Sequence, residues 1–90
     1  MKIVVLYRPK SDKASEVEEY INELRKDVQG TGVRIEVLNV DSRDGNAMAS
    51  LYDVFSFPTI LVVQDSGIIQ HSWEGQELPL FDEIKAYALA

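Results

Sequence analysis

The stretch that decides the fold is Leu-Tyr-Asp-Val-Phe-Ser-Phe-Pro-Thr-Ile-Leu-Val-Val, residues 51–63. Its pattern is typical of the end of a helix, followed by a short turn and then by a proline that opens an almost wholly apolar strand. We therefore expect a strand over residues 58–64. The rest of the chain supplies the elements that surround it.

Upstream of this stretch the chain predicts two strands with a helix between them. Residues 3–7 form a continuous apolar run that suits the buried centre of a sheet, and Pro9 ends it. Residues 33–40 begin by alternating apolar and polar side chains, which is typical of a half-buried edge strand. Between them Ser11 or Asp12 is positioned to cap a helix. Its buried stripe is predicted to contain Val17, Tyr20, Ile21, Leu24 and Val28.

Residues 41–46 have the composition of a turn and lead into a short second helix. We expect that helix to pack through one face made of Ala47, Met48, Leu51 and Phe55. After the third strand, residues 65–67 predict a hairpin turn and residues 68–73 a fourth strand. A last helix has Pro79 in its first turn. Its predicted buried residues are Leu80, Ile84 and either Tyr87 or Ala88.

The predicted order is βαβαββα in a single α/β domain that covers residues 1–90. A right-handed crossover makes the first two strands parallel, and the hairpin makes the last two antiparallel. The result is a mixed four-stranded sheet with helices on both faces.

Residues 49–59 resemble the strand-opening proline segment of thioredoxins. The family pattern is roughly Ala-x-x-Tyr-x-Val-x-x-aliphatic-Pro-Thr. Its positions are filled in register by Ala49, Tyr52, Val54, Phe57, Pro58 and Thr59. The resemblance covers nearly the whole chain and implies the thioredoxin-like fold, with strand order 2-1-3-4 and a cis peptide bond before Pro58.

The chain contains no cysteine. On the resemblance, Ser11-Asp12-Lys13-Ala14 takes the place of the family's Cys-x-x-Cys, so Ser11 and Ala14 stand where the two sulfur atoms would be. A serine hydroxyl cannot form or break a disulfide, and an alanine cannot resolve one. We therefore predict a redox-inactive protein that is not a thiol-disulfide oxidoreductase.

What the resemblance leaves is a platform for binding a protein or peptide segment by main-chain pairing. It implies that a cis bond at Pro58 exposes the backbone of Phe57 beside the start of the first helix. The predicted binding residues are Ser11, Phe57, Pro58 and Thr59. A positive group near the helix start favours an acidic ligand tail and contains Arg8, Lys10 and Lys13.

Two alternatives come from other functional classes. The first is a glutathione-binding or transferase-like domain, in which the hydroxyl of Tyr7 or Ser11 stabilises a thiolate. Such transferases need a large helical second domain, which these 90 residues do not contain. The second is a structural subunit that dimerises through an edge strand such as residues 34–40.

Charge and composition limit the remaining classes. A net charge of −6 argues against nucleic acid and against an anionic membrane as partner, because both need a basic patch. The lone His71 and the spacing of Asp41, Asp44 and Asp53 do not predict a metal site, and we expect no cofactor. The short apolar opening does not resemble a signal peptide, so we expect a cytoplasmic protein.

Overall fold

The computed structural model describes residues 1–75 and 77–90, and strands and helices alternate in the predicted order. Each strand begins and ends within one residue of its predicted limits, because continuous apolar runs and glycine turns mark them clearly in the sequence. The elements are β1 (Lys2–Tyr7), α1 (Ala14–Asp27), β2 (Arg34–Asn39), α2 (Arg43–Leu51), β3 (Thr59–Val63), β4 (Ile69–Glu74) and α3 (Phe81–Ala88).

The four strands form one mixed sheet in the order β2-β1-β3-β4, which confirms the predicted α/β fold class. β1 runs parallel to β2 and antiparallel to β3, and β3 runs antiparallel to β4. The two central strands are almost entirely buried, as their unbroken apolar sequences predict. Leu6 lies opposite Thr59, so the end of β1 meets the start of β3. This register brings the segment after β1 close to the proline segment.

The helices cover both faces of the sheet. α1 and α3 pack on one face, where Val17, Leu24 and Ile84 join a core cluster with Ile3 and Ile60. α2 packs on the other face, where Ala49 joins a second cluster. The other buried members of that cluster are Val4, Leu6, Val40, Val54, Leu61 and Val63. Alternate side chains of β1 therefore enter opposite layers, as the pleat of a strand requires.

The predicted packing face of the second helix is wrong. α2 already begins at Arg43, inside the predicted turn, and Gly45 and Ala49 are its buried residues. Leu51 is 74% exposed and Phe55 is 78% exposed, so neither packs against the sheet. The physical reason is Gly45, because the absence of a side chain lets this turn of the helix lie against the backbone of Asn39.

A left-handed residue ends α2 and turns the next side chains. Asp53 has a φ of 62°, and its amide donates to the carbonyl of Ser50 at 3.1 Å. The amide of Val54 donates to the carbonyl of Ala49 at 2.9 Å. These two bonds make a Schellman motif. The motif buries Val54 and directs the chain so that Phe55 is exposed.

Two predicted helix starts also differ from the structure. Lys13, rather than Ser11 or Asp12, is the N-cap of α1, and it makes no capping hydrogen bond through its side chain. Leu80 was predicted to be buried in the last helix, yet it is the N-cap of α3 and is 71% exposed. Pro79 precedes α3 and is buried.

Tyr20 connects α1 to the segment before α3. Its hydroxyl donates to the carbonyl oxygen of Pro79 at 2.6 Å, and its ring meets the edge of Phe81 with ring centroids 5.0 Å apart. Burial raises the pKa of the Tyr20 hydroxyl far above its ordinary value, and the nearby charge of Glu83 acts in the same direction. The folded chain therefore keeps this proton at a pH where the unfolded chain releases it.

We expect Tyr20→Phe to lower the free energy of unfolding by about 1 kcal/mol at neutral pH, because the Pro79 carbonyl loses its donor. A raised pKa contributes stability that is present below about pH 10, the unperturbed tyrosine value, and is lost as the pH rises further. The free energy of unfolding, measured with denaturant at several pH values above 9, should therefore fall less steeply with pH for Tyr20→Phe than for the wild type. Equal slopes would show that Tyr20 does not contribute to the alkaline loss of stability.

Candidate functional site

A cleft of about 440 Å³ lies where the segment after β1 meets the segment before β3. The register of β1 with β3 places these two segments side by side. Both arms of the cleft are short connections, the one before α1 and the one after α2. The residues that line it are Tyr7, Arg8, Ser11, Asp12, Lys13, Val17, Phe55, Phe57 and Pro58.

The main chain of Phe57 makes no hydrogen bond to another residue in the described part of the chain. The Phe57-Pro58 peptide bond is cis, and Phe57 itself lies outside β3. Neighbouring carbonyls are occupied, since that of Pro58 accepts from the amide of Gly75 at 3.1 Å and that of Ser56 accepts from the hydroxyl of Thr59. Within residues 1–75 and 77–90, by contrast, neither the amide nor the carbonyl of Phe57 makes a hydrogen bond.

Arg8 covers the aromatic ring of Phe57. Its guanidinium carbon lies 5.5 Å from the ring centroid, within the range of a cation–π contact. The same guanidinium donates to Asp41 at 2.7 Å. Arg8 therefore joins the end of β1 to the turn after β2 and helps to orient Phe57. Because Asp41 neutralises it, Arg8 offers less attraction to an acidic ligand than the sequence predicts.

Ser11 lies on the exposed rim of the cleft, three residues before α1 begins. Its hydroxyl donates to the carbonyl of Arg8 at 2.7 Å, and its amide donates to the same oxygen at 3.0 Å. The hydroxyl proton is therefore engaged within the turn. The two lone pairs of the Ser11 hydroxyl oxygen can still accept a hydrogen bond from a ligand.

Tyr7 forms part of the cleft wall, and its hydroxyl donates to a carboxylate oxygen of Glu18 at 2.8 Å. Burial raises the pKa of the Tyr7 hydroxyl, and its hydrogen bond to Glu18 raises it further. Stabilising a thiolate needs a hydroxyl proton that is free to be donated to sulfur. In this structure the proton of Tyr7 is directed to a carboxylate, which argues against the transferase-like alternative.

The structure brings together three of the four predicted binding residues, namely Ser11, Phe57 and Pro58. Thr59 does not line the cleft, because its side chain is fully buried and bonds to the Ser56 carbonyl. Phe55 also lines the cleft, although the sequence does not predict it as a candidate site residue. The sequence signal for the exposure of Phe55 is Asp53. Aspartate tolerates the left-handed conformation that ends a helix, so a helix that ends there does not carry Phe55 on its buried face.

The described part of the chain holds no group of three His, Cys, Asp or Glu side chains arranged to bind a metal ion. It also contains no helix of sufficient length and apolar character to span a membrane.

Solved structures resemble the chain over almost its whole length. A malarial protein matches at a TM-score of 0.73 and 13% identity, over 96% of this chain and 90% of the other. Thioredoxin O2 from Arabidopsis thaliana, in its oxidised state, matches at a TM-score of 0.71 and 13% identity, over 94% of this chain and 69% of the other. Thioredoxin 1 from the thermophilic eubacterium Thermosipho africanus matches at a TM-score of 0.69 and 17% identity, over 97% and 89%.

No family model matches the sequence, and no curated protein matches it significantly. The structural similarity comes with little sequence identity, so it establishes the fold and not the activity. The absence of cysteine from the sequence argues against thiol-disulfide exchange. The chain therefore has a thioredoxin-like fold and lacks the Cys-x-x-Cys motif.

Proposed function

We propose that this protein binds an extended segment of a partner protein in the cleft, without covalent chemistry. The observation that supports the proposal best concerns Phe57, which lines the cleft and whose amide and carbonyl make no hydrogen bond to any other described residue. A strand-like peptide that passes beside Phe57 satisfies both groups with its own carbonyl and amide. Each such hydrogen bond contributes about 0.5 to 1.5 kcal/mol.

Phe55 supplies the apolar surface for a ligand side chain. Phe55 is 78% exposed and lines the cleft together with Pro58 and Val17. Covering a phenylalanine side chain completely is worth about 1.5 to 3 kcal/mol. The charges on the rim are mixed, with Asp12 beside Lys13. We therefore propose that the ligand offers an apolar side chain next to its paired residue and that charge has a minor part in its selection.

The dimerisation alternative gains less support. β2 is an edge strand, as that alternative requires. It also carries Arg34 and Glu36, and Glu36 accepts from the ammonium group of Lys2 at 2.9 Å. Charged side chains on an edge strand oppose pairing with another edge. A dimer seen by light scattering whose interface covers β2 and spares the cleft would favour this alternative over peptide binding.

Phe55→Gln should weaken peptide binding about tenfold, because the ligand side chain loses its apolar wall. Peptides selected from a random displayed library on the wild-type protein provide the ligands, and fluorescence anisotropy measures their affinity. Leu51→Gln is the matched control. Leu51 is also a large apolar residue, 74% exposed, and it does not line the cleft. Its substitution should change affinity by less than about twofold.

Two outcomes would contradict the proposal. One is equal binding of the selected peptides to wild type, Phe55→Gln and Leu51→Gln, which would place the peptide site elsewhere. The other is the absence of any enriched peptide, which would favour an unrelated role for the cleft. Circular dichroism on each variant checks that the fold is unchanged.

A further inference from the structure

A second, larger depression of about 830 Å³ lies between α1 and residues 77–81. We call it the α1–α3 groove. Its apolar part is formed by Tyr20, Leu78, Pro79 and Phe81. The hydrogen bond from Tyr20 to Pro79 and the edge-to-face contact of Tyr20 with Phe81 fix the two sides relative to one another. The groove is thus a formed surface of the folded chain.

Leu80 lines this groove at a position where its side chain does not stabilise α3. It is the N-cap of α3, has extended backbone angles, makes no capping hydrogen bond through its side chain and is 71% exposed. Serine or aspartate at an N-cap is typically about 1 kcal/mol more stabilising than an apolar residue. An exposed leucine in this position is unfavourable for the isolated chain and favourable for a surface that is covered by a partner.

The rim of the groove carries negative charge. Glu16, Glu19 and Glu23 lie along one face of α1 at helical spacing, and Glu77 lines the opposite side. Glu23 pairs weakly with Lys26, at 3.3 Å between two exposed side chains. As far as residues 1–75 and 77–90 are concerned, the other three glutamates make no ion pair. Lys13 is the positive residue among the described lining groups.

We propose that the α1–α3 groove is a docking site for a basic amphipathic helix of a partner protein. The apolar face of such a helix covers Leu80 and Phe81, and its lysine or arginine residues meet the carboxylates on α1. An apolar groove is the usual receptor for one face of a helix. The row of carboxylates on α1 favours a partner surface that carries positive charge. The net charge of −6 also steers a basic partner towards the protein.

The probe is a synthetic peptide of about 14 residues, or four turns of helix, with leucines on one face and lysines on the other. A scrambled peptide of the same composition, which has no apolar face, is the control for general attraction to an acidic protein. Amide chemical shifts of the labelled protein map the site, and calorimetry at about 0.01 M and 0.1 M salt gives the affinities. We expect shifts along α1 and residues 77–81 with the amphipathic peptide only.

Leu80→Ser separates binding from folding. The substitution places serine at the N-cap with Glu83 three residues later, which creates a capping box. The folded protein should therefore be at least as stable as the wild type, while affinity for the amphipathic peptide falls about tenfold. A loss of stability would contradict the assignment of Leu80 as an unfavourable cap, and unchanged affinity would remove it from the docking site.

The charge requirement is tested with matched double variants. Glu16→Gln/Glu19→Gln removes two groove carboxylates, and Asp44→Asn/Glu74→Gln removes two exposed carboxylates that line no described groove. Each pair includes one carboxylate from the first turn of a helix. The groove variant should bind about fivefold more weakly, and the control should change less than about twofold. Equal loss in both, or equal binding of the scrambled peptide, would overturn the proposal.

Discussion

Gly45→Ala should lower the free energy of unfolding by about 3 kcal/mol, because the new methyl group overpacks the contact between α2 and the end of β2. A Cβ at this position would lie 1.9 Å from the carbonyl oxygen of Asn39 and 2.6 Å from its carbonyl carbon. Both are backbone atoms, so no side chain can rotate away. The helix or the strand end has to move instead.

A loss of stability in Gly45→Ala would be opposite in sign to the effect that helix propensity predicts. Helix propensity alone predicts that Gly→Ala stabilises a helix by about 0.5 to 1 kcal/mol. Asn46→Ala is the neighbouring control, since Asn46 is exposed in the same turn of α2 and should give a small gain or no change. Urea unfolding of both variants measures the difference. A Gly45→Ala protein as stable as the wild type would show that α2 does not pack this closely on Asn39.

The second large effect is expected for Leu61→Ala, which should lower the free energy of unfolding by about 3 kcal/mol. Leu61 is 1% exposed on the central strand β3 and belongs to the cluster beneath α2. Its truncation removes apolar contacts and leaves a cavity that the strand backbone cannot close.

Leu51→Ala is the matched control, with the same chemical change at a side chain that is 74% exposed. It should alter stability by no more than about 0.5 kcal/mol. Thermal and urea unfolding of the two variants compare them directly. A similar loss of stability in both variants would mean that Leu51 packs against the sheet, as the sequence predicts. It would contradict the observed orientation of α2.

The limits of the strands were predictable because each of their signals is local and strong, whereas the strand order was implied by the resemblance to thioredoxins. The apolar runs of β1 and β3, the glycine turn before β4 and the proline before β3 each limit an element by its own composition. The orientation of α2 was not predictable in this way. It depends on the contact of Gly45 with Asn39, six residues earlier, and on the left-handed residue Asp53. A periodic pattern read without these two residues selects the wrong face.

The candidate site also has parts that could be predicted from the sequence and parts that could not. Phe57 and Pro58 could be placed beside Ser11 because the strand order implied by the resemblance brings the end of β1 next to the start of β3. The paired state of Arg8 and the engaged hydroxyl of Tyr7 depend on side-chain conformations in three dimensions. Linear spacing carries no signal for either contact. Thr59 differs from these residues. Its place in the motif predicts a binding residue, whereas its side chain is fully buried and packs in the core.

The most direct test of the proposed function is the solvent exchange rate of the Phe57 amide proton, measured by NMR in the free protein and with a saturating library-selected peptide. The amide of Val54, which donates to the carbonyl of Ala49 at 2.9 Å, is the internal reference. We predict fast exchange for Phe57 in the free protein and strong slowing in the complex, with Val54 unchanged. An amide of Phe57 that exchanges equally fast with the peptide bound would contradict main-chain pairing at the cleft.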